Sequence, residues 1–265
     1  MKILVAGKGG TGKTTIASTL AILLSKSGYK VLVLDTDSVP NTAVSLGIDV
    51  EEASKIVPLT MNDKLIQERT GAKPGEGWGV FFTLNPKVDD LIDKYGIRIS
   101  EKLGLVVVGS IDASKQGCLC PAIALARHFL RHVLTSRDEI IIVDSEAGAE
   151  VFGRGLAEKF DMMLCITEPT VKSIGIALKL VKMAEELLVK QNVIVVNKVK
   201  DMKRAIKLCK EIIGDRVSYH LIRYDENIEE LDYRGRGLNE LPPNTPMLLD
   251  VKKLVEEFIP WIEVK

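Results

Sequence analysis

Short, uninterrupted apolar runs alternate along the chain with longer stretches in which apolar residues recur every three or four positions. The runs are KILVA (2–6), VLVLD (31–35), LVVVG (105–109), IIIVD (140–144), MMLCIT (162–167) and VIVVN (193–197). Each is continuous rather than alternating, the pattern of a strand covered by helices on both faces. Residues 14–27, 121–135, 173–190 and 202–213 carry the helical period. This rhythm predicts an α/β fold, a doubly wound and mostly parallel sheet, in a single domain over residues 1–265. The interval of about 48–104 breaks the rhythm. It contains RTGAKPGEGWG (69–79), rich in Gly, Pro and charge, and reads as an irregular insertion. The last segment, MLLDVKKLVEEFIPWIEVK (247–265), lines Leu248, Val251, Val255, Phe258 and Ile262 along one helical face. Its slightly acidic charge and Pro260 mark a helix docked on the body rather than a basic membrane-surface helix.

Composition narrows the classes. The 265 residues carry 36 Lys plus Arg and 36 Asp plus Glu, so no basic excess points to nucleic acid. Nothing resembles a membrane span or a signal peptide, and no membrane partner is expected. Four cysteines are too few for a disulfide scaffold, which predicts a reducing, cytoplasmic setting.

The segment GKGGTGKT (7–14) matches G-x-x-x-x-G-K-[ST], between a strand and a helix as that motif requires. Gly9, Gly10 and Gly12 let backbone N–H groups turn around an anion, and the helix adds its positive end. Gly9, Gly10, Thr11, Gly12, Lys13, Thr14 and Thr15 are the predicted nucleotide-binding residues. Lys13 is expected to reach the β- and γ-phosphates, and Thr14 to hold Mg²⁺. Parallel strands present ligand residues at their C-terminal ends. LDTDS (34–38) places Asp37 where it can orient or deprotonate an attacking water, with Asp35 supporting the metal through water or stiffening the loop. Asp144 ends a strand near the metal. Each of these aspartates could instead cap a helix or serve a turn.

QGCLCPA (116–122) sets two cysteines one residue apart before a helix. In an extended segment Cys118 and Cys120 point to one side, and two thiolates supply half of a four-coordinate soft-metal site. A redox dithiol or a pair of buried thiols are the alternatives. Cys165 and Cys209, each alone in an apolar element, read as core. His128 and His132 share a helical face with Arg131, opposite Ala126, Phe129 and Val133, as an added ligand pair or a polar face.

Lys8, a second lysine at the mouth of the loop, resembles the deviant Walker motif of the MinD/ParA/nitrogenase-iron-protein ATPases. The resemblance implies that Lys8 crosses a two-fold interface to the partner's phosphates, that Asp37 activates water, and that Asn197 hydrogen-bonds adenine. LIRYDENIEELD (221–232) resembles that family's second base-edge segment. The run GCLCPAIALARHFLRHVLTSRDEIIIVDSEAGAEVFGRG (117–155), with RTGAKPG and LNPKVDDLIDKYGI (84–97), is similar to the CooC-type ATPases, nickel-inserting maturation factors of carbon monoxide dehydrogenase. That likeness implies ATP hydrolysis, a homodimer formed on ATP or metal binding, and nickel or zinc held between subunits by Cys118 and Cys120. The implied client is apo-carbon monoxide dehydrogenase. Ala122 and Ser145 depart from the pattern and leave the metal and client open. A MinD/ParA-like positioning ATPase and an iron–sulfur electron-transfer ATPase are the other readings.

Overall fold

The six apolar runs form strands whose alternate residues enter two separate cores, one on each face of a single sheet. In the computed structural model, residues 1–37, 39–72, 81–111, 120–146 and 148–264 are described, with backbone alone for Cys120, Glu150, Val151 and Arg154. The strands are β1 (Lys2–Gly7), β2 (Val31–Asp35), β3 (Ile97–Arg98), β4 (Leu103–Val107), β5 (Ile140–Asp144), β6 (Met162–Thr167), β7 (Gln191–Val199) and β8 (Ser218–Arg223). Their spatial order is β3-β4-β2-β5-β1-β6-β7-β8. All neighbours pair in parallel except the short edge strand β3, which runs antiparallel to β4. β4 starts two residues before the expected 105–109 run, because Leu103 and Gly104 pair with Val31 and Leu32.

The first half of the chain supplies helices α1 (Lys13–Lys26), α2 (Thr42–Ser45), α3 (Val50–Ser54), α4 (Asp63–Thr70) and α5 (Leu91–Tyr95). The second half adds α6 (Cys120–Ser136), α7 (Arg154–Ala157), α8 (Val171–Glu186), α9 (Met202–Ile212), α10 (Glu226–Tyr233) and α11 (Pro246–Phe258). In β1, Leu4 and Ala6 enter the core beneath α4, α6, α8 and α9, where Ile66, Phe129, Ile174 and Cys209 lie. Ile3 and Val5 enter the other core, with Ile16 and Leu20 of α1 and Leu254 and Val255 of α11. Burial on both faces is why these strands are apolar without interruption.

Side-chain caps set several helix starts: Thr170 accepts from Ser173 N, Asp201 from Arg204 N and Asp225 from Asn227 N. α8 ends at Glu186, short of the expected 190, and Leu188 at φ +66° turns the chain into β7. Within 48–104, Leu59, Leu65, Ile66, Val88 and Leu91 join the α6-side core. Residues 73–80 of its Gly-rich stretch lie outside the described residues. α11 buries Val251, Leu254, Val255 and Phe258, so the terminal helix docks as its stripe predicts. No helix of the described residues is long and apolar enough to cross a membrane. Parallel pairing brings the C-terminal ends of β1, β2, β5, β6 and β7 to one edge, with Gly7, Asp35, Asp144, Thr167 and Asn197 near it.

Candidate phosphate-binding site

The loop from Gly7 to Gly12 is shaped by glycines at two places where a side chain is excluded. A Cβ on Gly7 would lie 2.2 Å from the Ile166 carbonyl oxygen, so glycine lets β1 turn away while still paired with β6. Gly12 has φ +93°, and a Cβ there would lie 2.4 Å from Asn197 Nδ2. The turn is closed by Thr11, whose Oγ1 donates to the Lys8 carbonyl at 2.8 Å. Asn197 Nδ2 donates to the Thr11 carbonyl at 2.9 Å, and Lys198 Nζ donates to the Gly10 carbonyl at 2.7 Å. No side chain caps α1, which starts after Gly12, so its first amides remain for an anion. Lys13 is buried, Thr14 and Thr15 are half-buried, and Lys8, Gly9 and Gly10 are exposed.

Two carboxylates sit side by side behind this loop. Asp35 and Asp144 are register partners at the ends of β2 and β5, and both are buried. Asp35 accepts from the amides of Asp37 at 3.0 Å and Thr42 at 3.2 Å, so it stiffens the turn that follows β2. Thr42 Oγ1 donates to Asp144 Oδ2 at 3.2 Å, while Asp144 Oδ1 is buried with no hydrogen-bond partner. Burial, and next the charge of Asp35, push the Asp144 carboxyl up to about 7, against the opposing pull of Thr14, Lys13 and Thr42. Burial likewise raises Asp35. A buried carboxylate oxygen without a partner, a second carboxylate and the nearby Thr14 hydroxyl form a hard oxygen donor set that fits Mg²⁺. Asp37 lies two residues beyond β2, half-buried, and its carboxylate accepts from Val39 N at 3.0 Å.

The edge beyond Asn197 opens into a cleft of about 360 Å³ lined by Val199, Lys200, Arg223, Tyr224 and Pro246. It joins the ends of β7 and β8, where the 221–232 segment begins. Lys200 Nζ lies 4.1 Å from the Tyr224 ring centroid. Cys118 lies outside the described residues, and Cys120 opens α6 with its backbone alone described. Among the described residues no group of three or more His, Cys, Asp and Glu is placed to hold a metal ion. His128 and His132 are half-buried and Arg131 is exposed, opposite the buried Ala126, Phe129 and Val133. Cys165 and Cys209 are buried in the core, as expected of isolated thiols in apolar elements.

Three residues of the site escape sequence reading. Thr42 bridges both buried carboxylates, yet it stands in no motif and its role appears only when β2 pairs with β5. Lys198 touches the loop from β7, and Glu168 pairs with it at 3.3 Å from the end of β6. The only local sign is a lysine directly after Asn197.

Comparison with known proteins agrees with this geometry. The CobQ/CobB/MinD/ParA nucleotide binding domain profile matches residues 2–238. The chain is 43% identical over 242 residues to an uncharacterised ATP-binding protein of Methanocaldococcus jannaschii, covering 90% of this chain and 91% of that one. It is 35% identical over 255 residues to the carbon monoxide dehydrogenase accessory protein CooC of Rhodospirillum rubrum, covering 92% and 91%. In structure it resembles the septum site-determining protein MinD of Pyrococcus horikoshii, solved with Mg-ADP, at a TM-score of 0.66, 21% identity and 97% and 94% coverage. A ParA family ATPase of Chlorobium tepidum superposes at 0.67, with 20% identity and 94% and 95% coverage. The glycine-bounded loop, the buried carboxylates behind it and the matched profile together make the chain a member of the CobQ/CobB/MinD/ParA nucleotide-binding family.

Proposed function

We propose that this ATPase of the MinD/ParA family is a metallochaperone. ATP joins two copies of the chain, Cys118 and Cys120 of each copy hold a nickel ion between them, and hydrolysis releases the ion toward apo-carbon monoxide dehydrogenase. The observation that carries the reading is a paired-cysteine C-x-C-P segment in a chain 35% identical to a carbon monoxide dehydrogenase accessory protein across 92% of its length. The exposure of Lys8 at the loop mouth supports it, because a lysine that serves a partner's phosphates must point away from its own fold.

The residues divide the work by position. Amides of Gly9 to Thr15 surround the phosphates, with Lys13 beside them. Thr14 and Asp144 would hold Mg²⁺, which neutralises charge on the β- and γ-phosphate oxygens when bound. Asp37, at the start of the loop after β2, orients the attacking water. Lys8 from the partner copy stabilises charge on the transferred phosphoryl group. Asn197 and the cleft beside Tyr224 take the adenine. Nickel and nucleotide both favour the closed dimer, so each strengthens binding of the other by mass action. Soft thiolates accept zinc as readily, and supply decides which ion is loaded. A positioning ATPase would need a lipid or DNA anchor, and the apolar stripe of α11 is instead packed on the body through Val251, Leu254, Val255 and Phe258.

Sedimentation with ADP, with a non-hydrolysable ATP analogue and with nickel, paired with elemental analysis of native and Cys118→Ser/Cys120→Ser protein, tests the proposal. The expected result is a dimer with the ATP analogue that holds about one nickel per two chains only when the cysteines are present. A monomer under every condition, or equal nickel without the cysteines, would refute it.

A further inference from the structure

β7 ends irregularly. Its pairing with β8 slips between Val196 and Val199, and Lys198, inside the slip, has φ +58°. That left-handed backbone is uncommon for a residue with a side chain. In a regular strand, consecutive side chains point to opposite faces. Here the bulge brings two neighbours onto one target: Asn197 Nδ2 donates to the Thr11 carbonyl at 2.9 Å and Lys198 Nζ to the Gly10 carbonyl at 2.7 Å.

The consequence follows from peptide geometry. In a planar trans peptide the C=O and the N–H point in opposite directions. Pinning the Gly10 carbonyl against β7 therefore turns the Thr11 N–H inward, where it closes the turn on the Lys8 carbonyl at 3.4 Å, and pinning the Thr11 carbonyl turns the Gly12 N–H into the hollow of the loop. The Lys198 ammonium is held over Gly10 by Glu168 Oε1 at 3.3 Å. Glu168 is itself tied to the start of α8, its N–H donating to Ser173 Oγ at 3.1 Å. Strands β6 and β7 thus brace a loop that is otherwise exposed at Lys8, Gly9 and Gly10.

We propose that Lys198, braced by Glu168, is a positioning residue that holds the Gly10 carbonyl outward and so fixes the Lys8–Thr11 turn, which leaves the Gly12 amide and the first amides of α1 facing the phosphates before nucleotide arrives. It does not touch the reacting atoms. Its left-handed backbone is the strain that the family of contacts maintains, as is common where a site is preorganised.

The test uses the full chain and four proteins: native, Lys198→Gly, Lys198→Arg and Glu168→Gln. Calorimetry measures Kd for Mg-ADP and for AMP, and melting is followed without nucleotide. Lys198→Gly removes the ammonium and relieves the backbone, so it should melt no lower than native yet bind Mg-ADP about tenfold more weakly. AMP lacks the β-phosphate, so its affinity should fall by less than about twofold. Lys198→Arg keeps a donor and should recover most of the ADP affinity. Glu168→Gln leaves the lysine without its charged brace and should weaken ADP by about threefold, which keeps the test open if Lys198→Gly fails to fold. Lys198→Gly binding ADP within twofold of native, or losing ADP and AMP equally, would overturn the positioning role. A native protein that binds no nucleotide would overturn the phosphate-loop assignment itself, a different failure from that of the brace.

Discussion

Replacing Asp144 by Asn removes one of two carboxyls buried side by side at the ends of β2 and β5. The groups that face Asp144 are Asp35 from β2, Thr42 from α2, and Lys13 and Thr14 from α1. In the metal-free protein its carboxyl stands at about 7 rather than the ordinary 3.8. Below pH 4 the group is protonated whether the chain is folded or not, and nothing is lost. Between pH 4 and about 7 the unfolded chain releases the proton and the folded one keeps it. The folded state then binds more protons, so stability falls as pH rises through that window. The full difference is about 4 kcal/mol, at about 1.4 kcal/mol per pH unit. Asp144→Asn carries no such proton. Urea denaturation of both proteins in EDTA, without nucleotide, at steps from pH 5 to pH 8 measures the effect. From pH 5 to pH 8 the stability advantage of Asp144→Asn should grow by about 2.5–3 kcal/mol, the remainder of the difference having developed below pH 5. His128, lowered by burial and by Arg131 and His132, titrates in the opposite sense over part of this range, but it is common to both proteins and cancels. Saturating Mg-ADP should reverse the order, because the native carboxylate gains a cation that the amide cannot hold as well. A pH-independent difference between the two proteins would sink the claim that burial, and next the charge of Asp35, raise the Asp144 carboxyl.

Other expectations follow from single contacts. On the proposed role of Lys8 at a partner's phosphates, Lys8→Ala should leave Mg-ADP affinity within about twofold while lowering kcat for phosphate release on the order of 10³-fold; an unchanged kcat contradicts that role. Gly12→Ala sets a Cβ 2.4 Å from Asn197 Nδ2 at φ +93°. It should cost about 1–3 kcal/mol in urea unfolding and abolish tight nucleotide binding in calorimetry. Asp250 is buried and accepts from Arg223 N at 2.9 Å, Nε at 2.7 Å and Nη2 at 2.8 Å. Asp250→Ala leaves those donors of a half-exposed arginine without their partner, and should cost about 2–3 kcal/mol in urea while nucleotide affinity is retained.

What could be read locally and what could not divide along a physical line. Residues whose meaning depends on their immediate neighbours were legible: the glycines and Lys13 of 7–14, the continuous strand runs, the stripe on α11. Elements whose formation depends on a partner were not. β8 is an edge strand whose residues are mostly exposed or half-buried, so its apolar pattern is weak and its backbone is extended because β7 offers hydrogen bonds. β3 is two residues long and exists only as a pair with β4. α4 lies in polar sequence with only Leu65, Ile66 and Thr70 turned inward, too few to mark a helix without the α6-side core to receive them.

The same line runs through the site. The sequence by itself pointed to a phosphate-binding loop, because a G-x-x-x-x-G-K-[ST] turn between strand and helix offers backbone amides to an anion. Only the tertiary structure decided which groups surround that loop. Asp35 and Asp144 become one electrostatic unit because β2 and β5, more than a hundred residues apart in the chain, are neighbours in register. Thr42 bridges them, and Lys198 reaches Gly10 across 188 positions through a bulge that no local pattern announces. Backbone conformation is set by short-range sterics and hydrogen bonding, whereas charge repulsion and shared hydrogen bonds depend on distance in space, and that distance is a property of the sheet order.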